Sequence, residues 1–130
     1  MDIKAFIREH EKTDSEFTYR IGQETIRARV LADASEVLAI EARAKRLIRV
    51  CAGNPSPDWQ EYLPASEQVI RMAVWAEACL IEPKATFLDG LIMGKRCGLL
   101  LAELTAPIFE RSATDTPEAE EEEIEAAKNG

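Results

Sequence analysis

The 130-residue chain has one histidine, His10, and three cysteines, Cys51, Cys79 and Cys97, far apart and without a CxxC pair. A zinc site needs three or four such ligands brought together, so none is expected. The odd cysteine count, with no signal peptide ahead of it, points to a reducing compartment where cysteine in an apolar stretch acts as a small hydrophobe. Apolar runs such as residues 99–102 are far too short to span a bilayer. Gly90, Gly94 and Gly98 lack the preceding strand of a phosphate-binding loop. His10 sits in a charged run between Glu9 and Glu11, remote from every cysteine, so it reads as an exposed histidine and no nucleophile pairs with a base. These absences argue against an enzyme, a cofactor and a membrane role.

Positive charge is also scarce. The formal charge is -8, unevenly spread: residues 1–111 hold 17 acids and 15 bases, a net of -2, whereas residues 112–130 hold 7 acids and 1 base, a net of -6. Nucleic-acid binding requires a surplus of Lys and Arg on one face, and nothing offsets the acids here. The length suits one core, so a single domain over residues 1–111 is expected, followed by an acidic flexible C-terminal tail over 112–130. The tail has too few apolar residues to offset the entropy of ordering it, which makes it a solubility device.

What is present is a change of period along the chain. Residues 2–12 place Ile3, Phe6 and Ile7 at helical spacing behind Asp2, a capable N-cap. The pattern then alternates: Phe17, Tyr19 and Ile21 share one face, as do Ile26, Ala28 and Val30, on either side of Gly22-Gln23. A two-residue turn there predicts a hairpin over about residues 16–31, with Ile21 facing Glu24, Tyr19 facing Ile26 and Phe17 facing Ala28. Two strands alone are marginal, so the hairpin must lean on helices or on a neighbouring subunit, and its edge is a natural docking strip.

Asp33 and Glu36 open a long helix ending at Gly53-Asn54-Pro55, with Val37, Ile40, Ala44, Leu47, Ile48 and Cys51 on its inner stripe. Arg43, Arg46 and Arg49 crowd its later turns; they complement the helix dipole and form a secondary basic patch. Trp59 and Tyr62 are expected to pin the following loop to the body. Pro64 suits the first turn of a helix over residues 65–81, with Val69, Met72, Ala73, Ala76 and Leu80 inward. A short helix then runs to a break at Gly94, and a last long one follows, bent or ended by Pro107. The fold class is therefore mainly α, about five helices with one N-terminal β-hairpin and an acidic tail.

The last two helices carry more apolar surface than one core face requires. Leu99, Leu100 and Leu101 alone sweep through about 200° of helix. Leu104, Ile108 and Phe109 widen that coverage, and Leu91, Ile92 and Met93 repeat the problem one helix earlier. Leu91, Ile92, Leu99, Leu100, Leu101, Leu104, Ile108 and Phe109 are the candidate partner-binding residues, and self-association is the economical way to cover them.

The element order, with "FTYRIGQETIRARVL", the helix after it, "MAVWAEACLIEPKATFLDGLIMGKRCGLLLAEL" and the acidic end, resembles the tail assembly chaperones of long-tailed bacteriophages over most of the chain. The resemblance implies a non-enzymatic, oligomeric chaperone that coats the tape-measure protein in the host cytoplasm, presents it to tail-tube subunits and is absent from the finished virion. Such families also make a longer product by a programmed frameshift near the end of the short one, as a further partner. "AAKN" at residues 126–129 can be encoded by a slippery string, which fits that expectation. The alternative is a small acidic adaptor or inhibitor of a host protein, which would array its carboxylates over the folded domain.

Overall fold

The computed structural model describes residues 2–10 and 16–113. Met1, residues 11–15 and 114–130, and the side chains of Glu9, His10 and Ala113, lie outside the described part, and with them the expectations for an exposed His10 and for the acidic tail. The described chain is mainly α-helical with an N-terminal antiparallel hairpin. It runs α1 (Ile3–His10), β1 (Glu16–Ile21), β2 (Glu24–Arg29), α2 (Ala34–Gly53), a 3-10 segment (Pro57–Tyr62), α3 (Glu67–Cys79), β3 (Leu80–Glu82), α4 (Phe87–Arg96) and α5 (Gly98–Ala113).

The hairpin forms in the expected register, with Ile21 opposite Glu24, Tyr19 opposite Ile26 and Phe17 opposite Ala28. Gly22 takes a φ of 61°, and no other described residue has a positive φ, so glycine supplies the first turn position. The hairpin does not lean on helices alone. β3 pairs antiparallel with β2, giving the sheet order β1-β2-β3, with an irregularity between Arg27 and Ala28. The sequence placed the first two of these residues, Leu80 and Ile81, at the end of a helix. Pro83 overrides that, because the residue before a proline is pushed towards extended backbone.

α3 begins at Glu67, three residues after Pro64, because the Ser66 side chain caps it by accepting from Val69 N at 3.1 Å. It is the shared wall of two cores. On one side it meets the sheet and α5, burying Trp75, Ala76 and Cys79 against Ile26, Ala28, Leu101 and Ile108. On the other it meets α2 and α4, burying Ile70, Ala73 and Val74 against Ala44, Leu47, Phe87 and Leu91. Its single inward stripe was too narrow an expectation: Val74 and Cys79 are fully enclosed.

Gly94 does not break α4, which continues to Arg96. A Cβ at Gly90 would overlap the Ala73 backbone and one at Gly94 would overlap the Val69 side chain, so the two glycines let α4 lie close against α3. Pro107 neither ends α5 nor marks its last turn; the helix runs on to Ala113. Ser112, assigned from the sequence to the tail, is fully buried there and its Oγ accepts from Leu31 N at 3.1 Å, tying the end of α5 to the chain entering α2. Trp59 does pin its loop, edge-on to Phe87 at 5.0 Å.

Candidate docking groove

The hairpin is fastened to α5 by the Tyr19 hydroxyl, which donates to the Leu104 carbonyl. It does not close down along its whole length. Beyond Tyr19 the turn end of the hairpin, β3, the Pro83–Ala85 connection, α4 and α5 leave an open groove of about 440 Å³. Ile21, Ile26, Leu80, Ile92, Met93, Leu100 and Leu104 line it, and Glu24, Lys84 and Asp89 are its charged lining residues. Such a cavity accepts an apolar shape and orients it with the few charges around it. Next to it in sequence, Leu99 is 75% exposed and Leu100 is 37% exposed, at the N-terminal turn of α5.

The eight apolar candidates separate into four at the groove, three in the core and Phe109, which belongs to neither. Ile92, Leu100 and Leu104 line the groove, and Leu99 stands exposed beside Leu100. Leu91, Leu101 and Ile108 are core residues, each no more than 1% exposed, and are not available to a partner. Leu104 is itself 4% exposed, so it belongs to the groove as its floor. Phe109 is half-buried, tilted against Trp75 at 4.9 Å and capped by the Arg71 guanidinium at 4.6 Å. The reason is angular: positions 101, 104, 105 and 108 share the inner face of α5, and Leu99 and Leu100 do not. The candidate set left out Ile21, Ile26, Leu80, Pro83 and Ala85, and also Met93, although Met93 was grouped with Leu91 and Ile92 as excess apolar surface. The hairpin residues were visible as an oily face, but its closeness to α4 follows only from the third strand.

The basic patch is smaller than expected. Arg43 is ion-paired with Glu77, whose other carboxylate oxygen accepts from Phe87 N at 2.8 Å, so this arginine joins α2 to α3 and the start of α4. Arg46 and Arg49 are exposed, but no basic residue falls in the last turn of α2 and the dipole reading does not hold. Cys97 is exposed at the α4–α5 junction, contrary to its expected place in an apolar interior; Cys51 is half-buried and Cys79 is buried.

Burial pushes the Tyr19 hydroxyl up to about 12 from its ordinary 10.0, with nearby Cys79 adding to the shift. Burial likewise pushes the Cys79 thiol up to about 12 from 9.0, with Arg29 opposing and Glu36 reinforcing. Both groups are neutral when protonated, so the folded state holds these protons more tightly than the unfolded chain. Their contribution is complete below about pH 9 and is lost as the pH rises through about 12. A melting series from pH 7 to 12 is expected to stay flat with respect to these groups and then fall. Cys79→Ala should flatten the early part of the decline and Tyr19→Phe the later part; an unaltered decline in both would place the titration elsewhere.

Among the described residues, no three His, Cys, Asp or Glu side chains converge on a possible metal site, and no helix is long and apolar enough to cross a membrane. Comparisons with protein-family models, curated proteins and solved structures return no match for this chain.

Proposed function

We propose that the chain is a non-enzymatic assembly chaperone of the phage-tail type, which holds the apolar face of an amphipathic client helix in the groove between the hairpin, α4 and α5. The observation that carries this reading is the apolar groove, lined in part by Leu100, with exposed Leu99 beside it. A helix presenting side chains at i, i+3, i+4 and i+7 is the partner such a groove suits. The tape-measure protein, with long helices that need cover until tail-tube subunits enclose them, is the client the resemblance implies. On this reading the protein works in the host cytoplasm, self-associates and leaves the finished virion.

The charge arrangement supports the same choice over an acidic adaptor. Four carboxylates of the folded part are engaged with its own cations: Glu36 with Arg29 at 3.4 Å, Glu41 with Arg71 at 2.7 Å, Glu77 with Arg43, and Glu61 with Arg96 at 3.8 Å. Glu41 also accepts from the indole of buried Trp75 at 2.9 Å. These four are held by the fold itself, which takes them out of any array for an external basic partner.

A complex held by hydrophobic burial survives salt that screens exposed ion pairs. Copurification of the full chain with its tape-measure client across a salt series is expected to persist well above physiological strength. Loss at modest salt would move the site to Arg46 and Arg49, and no binding at any salt would sink the chaperone reading.

A further inference from the structure

α2 carries three cations that the fold does not use. Its two acids are committed, Glu36 to Arg29 and Glu41 to Arg71, and its first arginine, Arg43, is paired with Glu77. Lys45, Arg46 and Arg49 are exposed, and among the described residues none of the three has an ion pair or a side-chain hydrogen bond. They also lie ahead of the last turn of α2, where the helix dipole would offset them. Arg49 stands three residues from Arg46 and four from Lys45, the spacings at which side chains on one helix face meet, and like charges there repel. Lys84 shares the groove with Glu24 and Asp89, and Arg27 and Arg96 are paired with Glu82 and Glu61, so none of these offers a similar surplus.

We infer that the acidic segment 114–130 of the same chain lies against this face of α2, with the run Glu120 to Glu123 over Lys45, Arg46 and Arg49. The charges are complementary: the segment holds 7 acids and 1 base, a net of -6, and the face presents cations without a counter-charge. The root of the segment is placed for this contact. Ser112 Oγ accepts from Leu31 N at 3.1 Å, which fixes the end of α5 beside the chain that enters α2 at Ala34. From Ala34 to Arg46 the helix advances about 18 Å. An extended chain from Ala113 reaches about 23 Å at Glu120 and about 33 Å at Glu123, so the four glutamates cover the distance. A segment tied to the domain also meets the face at an effective concentration of about millimolar, which a separate acidic partner must exceed.

The groove is lined by no residue of α2, so the inference does not rest on the chaperone reading and leaves the groove open to a client. What the contact does is withhold the basic cluster from outside polyanions such as nucleic acid.

Zero-length carbodiimide cross-linking of the full chain tests it, because this reagent joins a lysine to a carboxylate only where the two meet. Unlabelled and 15N-labelled protein are mixed, so that linked peptides of mixed label report contacts between copies. With each lysine normalised to its reactivity with a neutral acylating reagent, the initial yield from Lys45 to residues 118–125 is expected to exceed that from Lys84 or Lys95 about threefold or more, in peptides of a single label. Arg46→Gln/Arg49→Gln should lower the Lys45 yield about threefold or more, and salt at about 0.5 M should do the same, since exposed ion pairs are individually weak and screened. Mixed-label links would assign the face to the tail of a second copy. Equal yields at the three lysines, or a Lys45 yield indifferent to both the arginines and salt, would mean that the segment does not dock there. Each of these results overturns the inference, and none of them bears on client binding in the groove.

Discussion

Leu101→Ala is expected to destabilise the fold by about 2–5 kcal/mol, the range for truncating an enclosed leucine whose surroundings relax only in part. Leu101 is 0% exposed and packs in the core formed by the sheet, α3 and α5. Such a loss is a large share of the roughly 5–15 kcal/mol that holds a domain together, and it should appear as a marked drop in the urea midpoint. The neighbouring Leu99→Ala is the control. At 75% exposure Leu99 loses almost no contact on truncation, and the change should stay within about 0.5 kcal/mol. Equal effects at the two positions would mean that α5 is rotated from the orientation described. Leu101 is consequently unsuitable for probing an interface, since any polar substitution there tests folding.

The second large effect concerns binding. Leu99→Asp/Leu100→Asp should lower affinity for the client by about a hundredfold or more, because each leucine buried against a partner contributes about 1.5–3 kcal/mol and each 1.4 kcal/mol is tenfold. The melting temperature of this variant should stay close to that of the wild type, since both side chains are exposed. Titration of a labelled client helix into the two proteins measures the difference. Unchanged affinity in a folded variant would move the client away from the groove. Replacing Arg46 and Arg49 by Gln in parallel should change affinity little at physiological salt, because exposed cations give small and screened contributions.

Local pattern carried much of the fold. The hairpin register could be written down residue by residue, because Gly22-Gln23 sets the turn and the two-residue period assigns each side chain to a face. The start of α2 at Asp33 was equally legible, since its side chain accepts from Ser35 N at 2.8 Å. Elements whose limits depend on neighbours were not. β3 is three residues long, and its ladder bonds go to β2, about fifty residues earlier in the chain. Nothing local to Leu80-Ile81-Glu82 except Pro83 argues for a strand. Gly94 resembled a helix breaker, because glycine disfavours helix locally; the closeness of Val69 accounts for its place inside α4.

The candidate site shows the same division. Residue type alone determined that the last two helices carry excess apolar surface, that the folded part is nearly neutral and that the acids gather towards the end of the chain. Tertiary structure decided which leucines are core and which line the groove. Leu99, Leu100 and Leu101 are chemically identical and consecutive, so composition cannot rank them; their fates follow from the rotation of α5 against α3 and the sheet, which turns Leu101 inward and leaves Leu99 in water. The groove likewise exists because β3 draws the Pro83–Ala85 connection beside the hairpin, bringing Ile21 and Ile26 opposite Ile92 and Leu100. Periodicity reports the angle of a side chain about its own axis, and only the packing of that axis against others determines whether the angle points to protein or to solvent.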